Sequence, residues 1–188
     1  NLQKLDAILE QGFDINERDK SGKTMLHMAC DTGNVQLVYF LITRGAKVNE
    51  KDSHGVTPLM EACSKGCERV VELLLESGAD VNSADNHGYT ALHEACYKED
   101  KNIVSILLNR DEIDINALTE TGKTALHIAC SKGNENIVSL LIMKNADVDE
   151  RTEDGVTPLI SAYTKGHRNI MKLLIRKGAD ISIGMHKG

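Results

Sequence analysis

The chain has 188 residues, of which 41% are hydrophobic and only 3% aromatic, and its formal net charge is −6. This length suits one ordinary domain or a short array of repeats, and the scarcity of aromatic residues predicts an aliphatic core. The acidic balance argues against a nucleic-acid-binding protein, and no apolar run approaches the length of a membrane-spanning helix.

A short amphipathic segment opens the chain. Leu2, Leu5, Ile8 and Leu9 follow helical spacing and precede Gly12, which predicts a helix. The segment matches the second half of a cassette that is repeated in full further along the chain. We therefore interpret residues 1–18 as a partial repeat.

Five complete copies of the cassette follow at nearly constant spacing. The turn glycine of each copy recurs as Gly22, Gly55, Gly88, Gly122 and Gly155. We place the copies at residues 19–51, 52–84, 85–118, 119–151 and 152–184. A fixed period of about 33 residues is typical of a solenoid of stacked supersecondary units. Residues 1–188 are interpreted as a single array, and the apolar stripe on its last helix suggests part of a longer protein.

Each copy begins with a turn and a short first helix. The residue three positions before the turn glycine is Asp19, Asp52, Asp85, Thr119 or Thr152. Its side chain can bond the turn backbone. The threonine two positions after each glycine predicts a helix N-cap. Three residues beyond it, three copies have His27, His93 and His127. This spacing resembles a capping box, so we predict structural caps rather than ligands or catalytic groups.

A second helix with an apolar stripe completes each copy. Glycines that suit left-handed C-caps follow the first helices, as Gly33, Gly66, Gly133 and Gly166. In the third copy Glu99 takes this place. After the second helix of the fourth copy, Asn145 replaces the glycine, and asparagine also tolerates the left-handed conformation.

The cysteines follow the repeat rather than a metal or disulfide pattern. Cys30, Cys63, Cys96 and Cys130 occupy the same position in four copies, each beside an alanine. A small apolar thiol on a buried helix face explains that placement, and stacked copies hold such sulfurs too far apart to bond. Cys67 lies four residues after Cys63, which alone is weak support for zinc. Free thiols predict a reducing compartment, cytoplasmic or nuclear.

The third copy is irregular. Residues 109–116 contain a one-residue insertion, and the copy lacks glycine at both helix ends. A non-glycine residue in a left-handed C-cap is destabilising, so we expect this copy to be the least stable internal unit. The insertion either adds specificity for a partner or is a neutral change in a loop that tolerates insertions. We favour the neutral change.

The period, the Thr-x-Leu-His helix openings and the Gly-Ala-Asp-Val-Asn endings resemble the ankyrin-repeat family over nearly the whole chain. The resemblance implies an all-α solenoid of antiparallel helix pairs joined by β-hairpin-like loops. It also implies that loops and first helices line a concave face where a partner binds, and that one position of each first helix is exposed there, namely Met28, Glu61, Glu94, Ile128 and Ser161. At the variable positions of that face we predict partner contacts at His54, Val56, Glu61, Lys65, His87, Tyr89, Glu94, Tyr97, Lys98, Lys123 and Lys132.

Two patterns on this face predict opposite partner charges. Tyr89 and Tyr97 with Glu61 and Glu94 would suit a basic peptide, although glutamate is also simply a good helix former. The lysine row of Lys65, Lys98, Lys132 and Lys165 would meet an acidic partner. It also complements the negative helix C-termini, which is the interpretation we favour.

The predicted function is a protein–protein interaction scaffold that binds a peptide or protein. The alternative is a structural or regulatory segment that packs against another domain of its own parent chain. The His and Cys residues belong to caps and core, and no phosphate loop or metal-spaced cluster occurs. We therefore expect no enzymatic activity, cofactor, metal, small-molecule substrate, nucleic-acid partner or membrane insertion.

Overall fold

A computed structural model describes residues 2–182, which form eleven α-helices and no continuous β-strand. The helices are α1 (Leu2–Glu10), α2 (Met25–Asp31), α3 (Val35–Thr43), α4 (Pro58–Lys65), α5 (Glu68–Glu76), α6 (Ala91–Tyr97), α7 (Lys101–Leu108), α8 (Ala125–Lys132), α9 (Glu135–Met143), α10 (Pro158–Thr164) and α11 (Arg168–Arg176). From α2 onwards, first and second helices of successive copies alternate, which confirms the predicted all-α array. None of the helices in this part of the chain has the length and apolar character needed to span a bilayer.

Close contacts divide the chain into two units, the first ending at Asn86 and the second beginning at His87. In the first unit α2 pairs with α3 and α4 with α5, while α2 also packs on α4 and α3 on α5. The second unit repeats this arrangement with the pairs α6–α7, α8–α9 and α10–α11, and α8 packs against both α6 and α10. Each unit thereby buries an aliphatic core between like helices of neighbouring copies.

The turns have the side-chain bonds that the sequence predicts. Oδ1 of Asp19 accepts from the backbone N–H groups of Ser21 and Lys23 at 2.8 and 2.9 Å. Glycine is required at the turn by two separate constraints. Gly122 has a φ of 74°, and a Cβ there would lie only 3.0 Å from Cα of Thr152 in the next copy. The turn tips of the fourth and fifth copies therefore lie too close together for a side chain at position 122.

The three histidines cap the first helices and also bond to the following copy. In the fourth copy the Thr124 N–H donates to Nδ1 of His127 over 3.1 Å. Because Nδ1 accepts, the ring proton lies on Nε2, which is 3.0 Å from the carbonyl oxygen of Val156 in the next copy. The capping prediction is confirmed for His27, His93 and His127. Their bond to the next copy was not predicted.

The repeated cysteines are core residues. Cys30, Cys63, Cys96 and Cys130 are free and fully buried, as predicted. Burial raises the pKa of the Cys96 thiol well above its usual range. Burial has the same effect on Cys30 and Cys130, so the pKa of each of these three thiols favours the neutral form. Cys67 is free and half-buried at the N-cap of α5.

The irregular third copy is strained at one helix end rather than two. Glu99 adopts a φ of 61° after α6, where the other four copies have a left-handed glycine. After α7, Arg110 stands where the other second helices are followed by a left-handed glycine or asparagine, but its φ is not positive, so the chain turns there without a left-handed position. The expected strain therefore applies to Glu99 alone.

We expect Glu99→Gly to raise the free energy of unfolding by about 0.5–1 kcal/mol, because glycine adopts this φ without a Cβ clash. Asn145 has a φ of 64°, and Asn145→Gly should give a smaller gain since asparagine tolerates that region. Urea unfolding measures both changes. Amide exchange in α6 and α7 should slow in the Glu99→Gly variant. Loss of stability would refute both the strain at Glu99 and its role in making this copy the weakest.

Candidate functional site

The predicted contact residues of the first unit are largely engaged within the protein. Glu61 forms an ion pair with Lys23, and the Lys65 ammonium lies 3.0 Å from the Asp31 carboxylate. Val56 is half-buried, and its carbonyl accepts the bond from the histidine of the preceding copy. His54 differs, since 77% of its side chain is exposed at a turn tip. The two charged residues predicted as contacts in this unit, Glu61 and Lys65, are therefore both paired within the protein.

Charged residues of the second unit also pair within the face. Glu94 and Lys98, one helical turn apart on α6, have charged atoms 3.8 Å from each other. His87 Nδ1 lies 3.0 Å from a carboxylate oxygen of Glu120 at the neighbouring tip. Exposed contacts of this kind add little stability, but the Glu94 and Lys98 charges offset each other where a partner would meet them.

The two tyrosines of this unit have different surroundings. Tyr89 is half-buried, and its ring meets the His93 ring edge-on at a centroid distance of 5.7 Å. Tyr97 is 51% exposed at the end of α6. The Lys132 ammonium lies 3.8 Å from the centroid of the Tyr97 ring, and the Lys98 ammonium lies 6.0 Å from it. The Tyr97 ring is therefore already in contact with a cation of its own chain.

A surface groove of about 470 Å³ brings four predicted residues together, namely Tyr89, Tyr97, Lys123 and Lys132. We call it the tyrosine groove. Hydroxyl groups and one carboxylate also line it, from Thr121, Ser131, Thr164 and Asp154. The predicted residues His87, Glu94 and Lys98 lie outside its lining. His127 and Val156 contribute to the wall, so the bond between them fixes the spacing of adjacent copies at the groove.

Two residues of this groove were placed wrongly by sequence reasoning. Ile128 and Ser161 occupy the position expected to be exposed on the first helix, yet they are only 8% and 9% exposed. The close packing of α8 against α10 covers that position. Both residues line the groove, and no local sequence signal separates them from Met28, which is 47% exposed at the same repeat position.

A second groove lies on the second helices of the first unit. We call it the outer groove. It has a volume of about 450 Å³ and is lined by apolar and aromatic side chains that include Val35, Tyr39, Phe40 and Leu73. Tyr39 is 59% exposed and Val35 is 38% exposed. None of these positions was among the predicted contacts, which were sought only at the turn tips and on the first helices.

Within residues 2–182, no three His, Cys, Asp or Glu side chains are arranged to hold a metal ion. The buried histidines have both ring nitrogens engaged by backbone groups. Burial lowers the pKa of His127, although its bond to Val156 opposes that shift. A neutral ring with both nitrogens bonded acts as a structural link rather than as an acid or base.

Two models of the ankyrin repeat match the sequence of this chain. A model of ankyrin repeats, described as three copies, matches residues 1–85 and 112–184. A model of a single ankyrin repeat matches residues 87–120. The second match covers most of the third copy, so the irregular copy is also matched. Together these regions account for nearly the entire chain.

Proposed function

The chain belongs to the ankyrin-repeat family, whose members are generally protein–protein interaction modules, and on that premise we propose that it binds a protein or peptide at the tyrosine groove. This face consists of turn tips and first helices, which the family resemblance predicts to be concave. The observation that carries the proposal is the meeting of Tyr89, Tyr97, Lys123 and Lys132 in one groove.

Lys123 and Lys132 are suited to binding because the fold does not require their side chains. The turns are formed by bonds of Thr119 and Thr152, and the helix is capped by Thr124 and His127. The side chains of Lys123 and Lys132 take no part in those bonds. They can therefore vary without loss of the fold, as is expected of contact positions in a repeat protein.

Tyrosine is the preferred anchor at such a surface. Its ring buries a large apolar area with little loss of side-chain entropy, and its hydroxyl keeps a polar contact. Tyr97 is half exposed, so a partner that covers it would remove apolar surface from water. We expect Tyr97 to contribute more binding energy than the less accessible Tyr89.

Replacing Tyr89 and Tyr97 together by alanine should weaken binding of a partner by tenfold or more, because interface tyrosines are frequent hot spots. The partner is first obtained by affinity capture with residues 1–188. Its dissociation constant is then measured by calorimetry against each variant. Tyr39→Ala is the matched control, since Tyr39 is equally exposed but lies in the outer groove. Unchanged affinity in the double variant would refute this site.

A second candidate function is packing against another domain of the same parent chain. The outer groove favours it, because Tyr39 and Val35 present apolar surface on helices that were expected to bury it. The same variants separate the two proposals. Loss of binding in Tyr39→Ala, with the double variant unaffected, would select the outer groove.

We further propose that this segment has no catalytic activity and works in a reducing compartment, cytoplasmic or nuclear. Ankyrin-repeat proteins are typically non-catalytic scaffolds. Free buried thiols suit a reducing environment. Turnover of any substrate that is abolished by a point substitution in the groove would contradict the first statement.

A further inference from the structure

We propose that the segment bound in the tyrosine groove is an acidic peptide whose carboxylates contact Lys123 and Lys132. This inference rests on the proposed function of the groove and specifies the chemistry of its partner. Two lysines and one carboxylate, Asp154, are the charged side chains that line the groove. Within residues 2–182, neither Lys123 nor Lys132 has a carboxylate oxygen within 4.0 Å of its ammonium group.

The backbone of Lys123 is held firmly at the mouth of the groove. Its N–H donates to Oγ1 of Thr119 at 3.1 Å. Its carbonyl accepts from the Thr119 N–H at 3.0 Å and lies 3.1 Å from Nε2 of His93. The side chain nevertheless remains exposed. The backbone at Lys123 therefore needs no ordering when an anion binds, and only the side chain has to be fixed.

Lys132 is oriented by the tyrosine beside it. Its ammonium lies 3.8 Å from the Tyr97 ring centroid, and this contact restricts the side chain before any partner binds. The same contact disfavours a basic partner, because an incoming Lys or Arg would meet a ring face already occupied by a cation. An ammonium keeps donors free for a carboxylate while it rests on the ring.

The two carboxylates that suggested a basic partner are already paired with lysines of the same chain. Glu94 lies 3.8 Å from Lys98 on its own helix. Glu61, in the first unit, is paired with Lys23. The case for a basic partner is therefore weakened at both positions, while the lysines of the groove have no carboxylate beside them.

The distribution of charge along the chain agrees with this assignment. Residues 1–86 contain 9 Lys or Arg against 14 Asp or Glu, whereas residues 87–188 contain 13 against 14. Most of the net negative charge is therefore in the first half. An acidic peptide would be repelled by the first half and tolerated by the second, where the groove lies.

The test is selection of random peptides of about twelve residues, displayed on phage, against residues 1–188. We expect the selected peptides to be rich in Asp and Glu. Their dissociation constants should rise about tenfold for each of Lys123→Ala and Lys132→Ala, as for loss of a charge-assisted hydrogen bond. Lys172→Ala is the matched control, because Lys172 is an exposed lysine on α11 outside the groove. Asp154→Asn should tighten binding severalfold by removing a repulsive charge.

The outcomes separate the two proposals. Peptides that bind in the groove, as judged by weakening in the Tyr89→Ala/Tyr97→Ala variant, but show no acidic bias would overturn the acidic assignment and leave the proposed function intact. Enrichment of Lys and Arg would overturn it equally. If no selected peptide depends on the groove tyrosines, both proposals fail. Binding of acidic peptides should also weaken between about 0.05 and 0.3 M salt, and a salt-independent affinity would contradict direct ion pairing.

Discussion

Replacing Leu126 by alanine is expected to lower the free energy of unfolding by about 2–5 kcal/mol, because it leaves a cavity that the neighbouring helices cannot fill. Leu126 is fully buried on α8, which packs against α6, α9 and α10. A repeat array holds together through contacts between neighbouring copies, so a cavity here weakens both interfaces of the fourth copy.

Urea unfolding of the Leu126→Ala variant measures this effect. Leu118→Ala is the matched control, since Leu118 is 49% exposed in the preceding loop and should change stability by less than about 0.5 kcal/mol. Equal effects from the two substitutions would contradict the packing described for α8.

Replacing His127 by alanine should lower the free energy of unfolding by about 2–4 kcal/mol. The substitution removes the acceptor that lies 3.1 Å from the buried Thr124 N–H and the link between His127 and the Val156 carbonyl, which keeps only its bond to the Thr152 N–H. His127→Met should be milder. In the second copy Met60 takes the same place, and its sulfur lies 3.5 Å from the Thr57 nitrogen.

The same histidine predicts a pH dependence with a definite sign. Burial lowers the pKa of His127 and of His27 in the folded protein. The unfolded chain therefore binds more protons just below the ordinary histidine pKa of about 6.5. Stability should fall as the pH drops through that value, by at most about 1.4 kcal/mol per pH unit for each histidine.

Unfolding curves at several pH values between about 5 and 8 test this linkage. The slope should be smaller in His127→Met than in the wild type, because one buried group no longer titrates. The exposed histidines His54 and His87 remain in both proteins, so their contributions cancel in the comparison. An unchanged slope would mean that His127 is protonated equally well in the folded and unfolded chain.

Much of the fold follows from local spacing. The histidine caps, the burial of the cysteines and the left-handed glycines depend on residues only a few positions apart, and the structure confirms them. Repetition makes these predictions stronger, because a residue type that recurs at one position in several copies has the same structural role in each copy. The strain predicted after α7 was wrong, since Arg110, in the place of the usual glycine, does not adopt the left-handed conformation.

The candidate site could be predicted less well because it depends on contacts between copies. The pairs Lys23–Glu61 and Tyr97–Lys132 join residues more than thirty positions apart. The sequence identified positions that the repeat does not need for its fold, but it did not show which side chains at those positions pair with each other. The burial of Ile128 likewise follows from the close packing of α8 against α10. The sequence of one copy does not show how closely its helix will pack against the next copy.

The most direct test of the tyrosine groove is amide exchange of residues 1–188 with and without a captured partner or a selected peptide. We predict protection in the turn at residues 119–124 and at the carboxyl ends of α6 and α8, which contain Tyr97 and Lys132. Protection confined to the second helices α3 and α5, where the outer groove lies, would contradict the account.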